Sequence, residues 1–228
     1  MISDQDKDWL SKYYPGLIVS GKEISGDIEF VANYNKDTDQ FSILYNGTPD
    51  SIDGLKLSGK FSVIISERTN KASSDLPALI VKNIDTTTDR HFNQMDKSAC
   101  LCSPLEEGEY LLPEFSFKLF LEELVIPFLY GQVFYDKNGK WPWSEYSHGA
   151  VGILESYLDI SDASKARASI EKLRYDTNWP RVEQVLKQKS YIKGHTPCFC
   201  PKADQIRRCH PKAWQGINKL KNDIKDSY

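Results

Sequence analysis

The stretch "GDIEFVANYN", residues 26–35, decides the fold because Asp27 and Glu29 alternate in it with Ile28 and Phe30. A period of two residues is typical of a β-strand with one buried face. Further short alternating or apolar runs lie at residues 41–46, 59–66 and 77–83, and residues 17–23 are a candidate addition to them. Asn-Gly, Asp-Gly and Ser-Gly turn signals separate these runs. The pattern predicts a four-stranded antiparallel meander.

Helical patterns lie on both sides of the strands. Apolar residues at helical spacing behind Asp4, a candidate N-cap, predict a helix over 4–14. Later helices are expected at roughly 115–135, 148–158, 161–172 and 179–188. Pro127 should kink or divide the first of these, and Ser161-Asp162 and Asn178 offer caps. Because strands and helices are segregated along the chain, the fold class is α+β.

Composition and charge narrow the range of possible functions and locations. The net charge is only -3 in 228 residues, so no global field favours nucleic acid or an anionic membrane as a partner. The first residues lack the apolar core of a secretory signal, and the apolar-rich run 115–134 carries three charges and a proline. We therefore predict a cytoplasmic protein without a membrane span. In that compartment the five cysteines are nucleophiles or metal ligands rather than disulfides.

The tail contains a metal-ligand pattern. Cys198 and Cys200 are followed, after eight residues, by Cys209 and His210. Three thiolates and one imidazole suit a closed, tetrahedral structural zinc site, which would fold a segment too polar to form its own core. The segment resembles the zinc-binding SEC-C motif, although Pro201-Lys202 replace the usual Gly-Ser. The resemblance implies a docking role for the tail, with a purely structural staple as the alternative.

A long loop after residue 84 contains His91, Asn93, Cys100 and Cys102. Long loops in compact domains are commonly functional. A second zinc would need the loop cysteines together with His91 and His148, and a disulfide between residues two apart would be strained. A thiol nucleophile is the favoured interpretation.

The pair "RHFN" and "SACLC", at 90–93 and 98–102, resembles the active-site loop of ubiquitin-conjugating enzymes. His91 and Asn93 match the family's His-Pro-Asn tripeptide, with Phe92 in place of proline, and Cys100 matches the catalytic cysteine. The spacing is one residue shorter than usual, so Cys102 is a second candidate nucleophile. The resemblance implies a ubiquitin-conjugating-like fold.

The stretch "WPWSEYSHG", 141–149, is similar to a signature of the prokaryotic ubiquitin-conjugating-like proteins of type II CBASS antiviral operons. Ser144 replaces the family glycine, and His148 becomes a candidate for proton transfer or loop positioning. A packed aromatic corner is the alternative interpretation of this stretch.

The resemblance implies a mechanism and partners. Cys100 would carry the C-terminus of a cGAS-like nucleotidyltransferase as a thioester and pass it to a lysine of an acceptor protein, with Asn93 as the oxyanion donor. An activating enzyme is a further possible partner, since the chain has no nucleotide-binding loop. The alternatives are a cysteine hydrolase, with His91 or His148 as base, and a non-catalytic adaptor that docks through its tail. The expected domains are 1–190, catalytic, and 191–228, zinc-binding.

Overall fold

The sheet of the computed structural model contains five antiparallel strands. They are β1 (Leu17–Ser20), β2 (Glu23–Asn35), β3 (Gln40–Ile43), β4 (Leu55–Ser66) and β5 (Ala78–Val81). The strands expected over 26–35, 41–46, 59–66 and 77–83 all form, and residues 17–23 add β1. The path β1-β2-β4-β5 differs from the expected order, because β3 lies off it and pairs with the end of β2. The α+β class predicted from the sequence is confirmed. The structure describes residues 2–46, 53–68, 76–111, 114–160 and 162–225.

The alternation in β2 sets which face of the sheet is buried. Ile24, Ile28, Phe30, Ala32 and Tyr34 are all buried, and each lies an even number of residues from the others. Successive side chains of a strand point to opposite faces, so this set forms one apolar face. The pattern that first indicated a strand therefore also specifies its register.

The chain divides into two compact units. The first comprises Met1–Cys102 and Gly108–Ser144, and the second comprises Ser103–Glu107 and Glu145–Tyr228. This division differs from the expected boundary between 190 and 191, because residues 145–190 group with the tail rather than with the sheet.

The first unit begins with helix α1 (Asp4–Tyr13). Its cap is Ser3 rather than the expected Asp4. The Ser3 hydroxyl accepts the backbone N–H of Asp6 at 3.1 Å, and the Asp6 carboxylate accepts the backbone N–H of Ser3 at 2.9 Å. This reciprocal pair is a capping box, which satisfies two backbone donors at once.

Later helices of the first unit follow the loop. They are α2 (Glu107–Leu111), whose first residue belongs to the second unit, α3 (Phe117–Leu119) and α4 (Ile126–Asn138), with a π-helical turn at Phe120–Val125 between the last two. Pro127 lies in the first turn of α4, where its missing N–H costs little. The expected disturbance near this proline thus takes the form of a π-helical turn.

The second unit is helical: α5 (Gly149–Asp159), α6 (Ala166–Leu173), α7 (Trp179–Leu186), α8 (Ile206–Cys209) and α9 (Pro211–Lys225). Asp162 accepts the backbone N–H of Ser164 as expected of a cap, whereas Asn178 makes no side-chain cap bond. Ser161 lies outside the described residues. In the described ranges, no helix has the length and apolar character needed to cross a bilayer.

Helices α5 and α9 pack closely because Gly216 has no side chain. A β-carbon at this position would lie 1.9 Å from the carbonyl oxygen of Leu154, which is backbone and has little freedom to move. The crossing therefore needs glycine at this one position.

We expect Gly216→Ala to destabilise the second unit by about 1 to 3 kcal/mol, because the added methyl group forces the two helices apart. Gly108→Ala is the matched control, since a β-carbon on the exposed, helical Gly108 meets nothing within 4 Å. That variant should be neutral or up to about 1 kcal/mol more stable. Chemical denaturation followed by circular dichroism measures both, and equal effects of the two substitutions would contradict the packing argument.

Candidate functional site

The candidate active-site loop, residues 91–100, is closed by its own backbone. The N–H of Asn93 donates to the carbonyl of Ser98 at 2.8 Å, and the N–H of Cys100 donates to the carbonyl of His91 at 2.8 Å. His91 adopts a left-handed conformation with φ of 57°, which turns the chain into the loop. These contacts bring the two ends of the loop together.

Two contacts fix this loop to the core of the first unit. The N–H of Ala99 donates to the carbonyl of Leu79 in β5 at 2.8 Å. Phe92 is only 1% exposed and packs edge-on against Phe128, with ring centroids 5.4 Å apart. Phe92 therefore anchors the loop by burial. At the other extreme, Met95 at the loop tip is 98% exposed.

Cys100 and Asn93, two of the predicted site residues, are in direct contact. The thiol of Cys100 donates to the amide oxygen of Asn93 at 3.3 Å. The amide nitrogen of Asn93 donates to the hydroxyl of Ser98 at 3.0 Å, so it points away from the thiol. In this orientation Asn93 is an acceptor toward Cys100, not the donor that an oxyanion would need.

Arg68 and Ser98, which sequence reasoning missed, complete this network together with Asp96. The guanidinium of Arg68 donates to the Ser98 hydroxyl at 3.1 Å and to the carboxylate of Asp96 at 3.1 Å. Asp96 in turn accepts both the backbone N–H and the hydroxyl of Ser98, at 3.0 and 2.7 Å. Burial acts to raise the pKa of Asp96, but the Ser98 bonds and the charge of Arg68 outweigh it and lower that pKa. Asp96 is therefore a structural anion.

Burial raises the pKa of the Cys100 thiol to about 11. The positive charge of Arg68 opposes this shift, and the negative charge of Asp96 adds to it. At neutral pH the group is accordingly a thiol rather than a thiolate.

The two predicted histidines have different surroundings. The ring of His91 packs edge-on against Trp141, with centroids 4.9 Å apart, inside the first unit. His148 is exposed in the second unit, at the residue before α5. The next residue, Gly149, has φ of 64°, and the carboxylate of Asp176 accepts the N–H of Ala150 at 2.7 Å. Gly149 thus has a structural role at the start of this helix, and the role of His148 stays a prediction.

Cys102, the second candidate nucleophile, is half-buried against the core of the first unit. No disulfide joins it to Cys100. Within the described ranges, the loop cysteines are not part of any metal-binding group.

The four predicted metal ligands converge in the second unit. The ligand atoms of Cys198, Cys200, Cys209 and His210 all lie within 4.8 Å of one another. The sulfur of Cys198 is 3.2 Å from Nδ1 of His210, and the sulfurs of Cys200 and Cys209 are 3.5 Å apart. Tetrahedral zinc, with bonds of about 2.0 to 2.3 Å, needs ligand atoms roughly 3.5 to 3.8 Å apart. The cluster therefore could hold a metal such as zinc.

A tight backbone turn presents the first two of these cysteines. The N–H of Cys198 donates to the carbonyl of Asp204 at 2.7 Å, and the N–H of Ala203 donates to the carbonyl of Cys200 at 3.0 Å. Ala203 takes the left-handed conformation, with φ of 51°, and so closes the turn that contains Pro201-Lys202.

A comparison of the chain with protein-family profiles, with curated proteins and with solved structures finds no match. The two candidate sites are therefore interpreted from their own geometry.

We expect the purified protein to contain about one zinc per chain, since its ligand set is closed and rich in thiols. Cys209→Ser should lower the zinc content well below this value and reduce the melting temperature, because the metal organises the tail. Cys102→Ser is the matched control and should retain the metal. Elemental analysis with thermal unfolding tests both, and full zinc content in Cys209→Ser would exclude this site.

We expect Cys100 to react slowly with iodoacetamide. With a pKa near 11, its thiolate fraction at pH 8 is about two orders of magnitude below that of an ordinary thiol, partly offset by its higher nucleophilicity. Alkylation should be at least about tenfold slower than for the same peptide in denatured protein. The rate should still rise as pH increases above about 9. Peptide mass spectrometry measures it, and a plateau below that pH would contradict the raised pKa.

Proposed function

We propose that this protein is a cysteine-dependent acyl transferase of the ubiquitin-conjugating type. The observation that carries the proposal is the Cys100–Asn93 contact on a short, bridged loop that directly follows an antiparallel meander. The order of meander, asparagine and cysteine is the one that the resemblance to ubiquitin-conjugating enzymes implies. Cys100 is the acyl carrier in this proposal, and Cys102 remains the second candidate.

The proposed reaction has two steps. The sulfur of Cys100 attacks the carbonyl carbon of a C-terminal thioester, and the donor sulfur leaves and takes up the Cys100 proton. A lysine amine of the acceptor then attacks the new thioester, the sulfur of Cys100 leaves, and the amine proton returns to it. The net result is an amide bond, without oxidation or reduction.

The charged groups around the thiol, rather than its proton state, bear on transfer against hydrolysis, because both reactions proceed through the thiolate. A cysteine hydrolase needs a thiolate, which an imidazole usually generates. The charges that act on the Cys100 pKa are those of Arg68 and Asp96. Hydrolysis and a silent adaptor role remain the alternatives that the experiment must separate.

The resemblance to the CBASS proteins supplies the proposed partners. The carried group would be the C-terminus of a cGAS-like nucleotidyltransferase, the acceptor would be a lysine-bearing protein, and an activating enzyme would supply the thioester. The metal-binding tail would dock one of these proteins. In this setting the transfer primes antiviral signalling in the bacterial cytoplasm.

The chemistry can be tested without knowing the partner. A synthetic glycine-terminated peptide thioester is incubated with the protein under non-reducing conditions, and intact mass is recorded before and after adding a thiol. We expect a thiol-labile adduct on wild type and on Cys102→Ser, and its loss in Cys100→Ser. Added lysine should release the peptide as an amide faster than water releases it as an acid.

Other outcomes select the alternatives. Release of free acid at the same rate with and without lysine would indicate a hydrolase. The absence of an adduct, even with an activating enzyme, ATP and the nucleotidyltransferase supplied, would favour the adaptor. An adduct that moves to Cys102 when Cys100 is replaced would leave the carrier unassigned, so each variant is mapped at the peptide level.

A further inference from the structure

The hydroxyl of Ser98 has three polar neighbours that together determine its hydrogen-bond directions. Arg68 can only donate, because a guanidinium carries no acceptor. Asp96 can only accept, because its lowered pKa keeps it ionised. The single proton of Ser98 is therefore directed to Asp96, at 2.7 Å, and Ser98 accepts from Arg68, at 3.1 Å.

This assignment fixes the amide of Asn93. Since the Ser98 proton is already used, the Asn93 atom 3.0 Å from that hydroxyl must be the nitrogen, as a donor. The amide oxygen then faces Cys100, whose thiol donates to it at 3.3 Å. The donors and acceptors around Ser98 thus determine the orientation of the Asn93 amide and make it an acceptor toward Cys100.

We propose that Ser98, held by Arg68 and Asp96, is a positioning residue that keeps Asn93 turned as an acceptor toward Cys100 and so keeps the thiol protonated. An acceptor stabilises S–H and disfavours S⁻, as a hydrogen bond to the neutral form does. Burial of the loop acts in the same direction, since it raises the pKa of Cys100. The free protein thereby holds its cysteine in an unreactive form.

The consequence for transfer rests on the proposed function. An oxyanion next to Cys100 needs a donor, so the Asn93 amide must rotate and give up its bond to Ser98 before it can serve as one. Ser98 then sets the cost of activating the loop. Because Ser98 is fully buried while Asp96 is half-exposed, a partner that approaches this network meets the Asp96 carboxylate first.

A double-mutant cycle separates this effect from general loosening of the loop. Ser98→Ala removes the acceptor, so the amide can rotate and donate to the thiolate. Loosening would also lower the pKa of Cys100, but without needing Asn93. We therefore compare Ser98→Ala, Asn93→Ala and the double variant, and measure the iodoacetamide reactivity of Cys100 from about pH 7 to about 11.5.

We expect Ser98→Ala to lower the apparent pKa of Cys100 by about one unit, which makes alkylation near pH 8 several-fold faster. In the Asn93→Ala background the same substitution should have no further effect. An equal shift in both backgrounds, or no shift in either, would overturn the proposal. Melting temperatures and the reactivity of Cys102 report on loss of local structure.

The peptide thioester assay keeps this inference distinct from the proposed function. If both hold, loading of Ser98→Ala at neutral pH is faster than loading of wild type. If the pH profile shifts only when Asn93 is present but no adduct forms in any variant, Ser98 controls the thiol and the transferase proposal fails. If adducts form and the cycle shows no coupling, transfer stands and the Ser98 proposal fails.

Discussion

The pairing of β2 with β4 is the constraint on which the first unit depends, since all twelve residues of β4 pair with β2. β1 and β3 are added to β2, and β5 is added to β4. The candidate active-site loop is attached next to β5, because the N–H of Ala99 donates to the carbonyl of Leu79. The position of Cys100 thus follows through a chain of backbone hydrogen bonds from the central ladder, which is stiffer than a connection through side chains alone.

Local patterns predicted part of this structure. The period of two residues identified the strands, and the spacing of Cys198, Cys200, Cys209 and His210 identified a cluster that does form. The partners of the loop were not predictable in the same way. Arg68 lies about thirty residues before Ser98, and neither has a sequence signal, because an arginine and a serine are common on any surface. Only tertiary folding brings them together. The same folding places Arg68 beside Asp96 and so helps to keep that carboxylate ionised.

The cysteines of the tail and of the loop differ in the ligand atoms around them. The tail places three thiols and an imidazole close enough to share a metal, and metal binding deprotonates such thiols. Cys100 has a single acceptor beside it in an apolar setting that keeps its proton. Burial raises the pKa of Cys198 as well, so what distinguishes the tail is the convergence of four ligand atoms rather than a more exposed thiol. One chain can thus hold a metal in one unit while a thiol in the other stays in its neutral form.

The burial of Phe92 has a kinetic consequence. A proline in a loop restricts the backbone locally and does so whether or not the rest of the protein is folded. Phe92 instead fixes the loop only while its ring is packed on Phe128, so the loop and the core of this unit open together as one cooperative element. Amide hydrogens at Asn93 and Cys100 should therefore exchange with solvent at the slow rate of the sheet rather than at the fast rate usual for a surface loop.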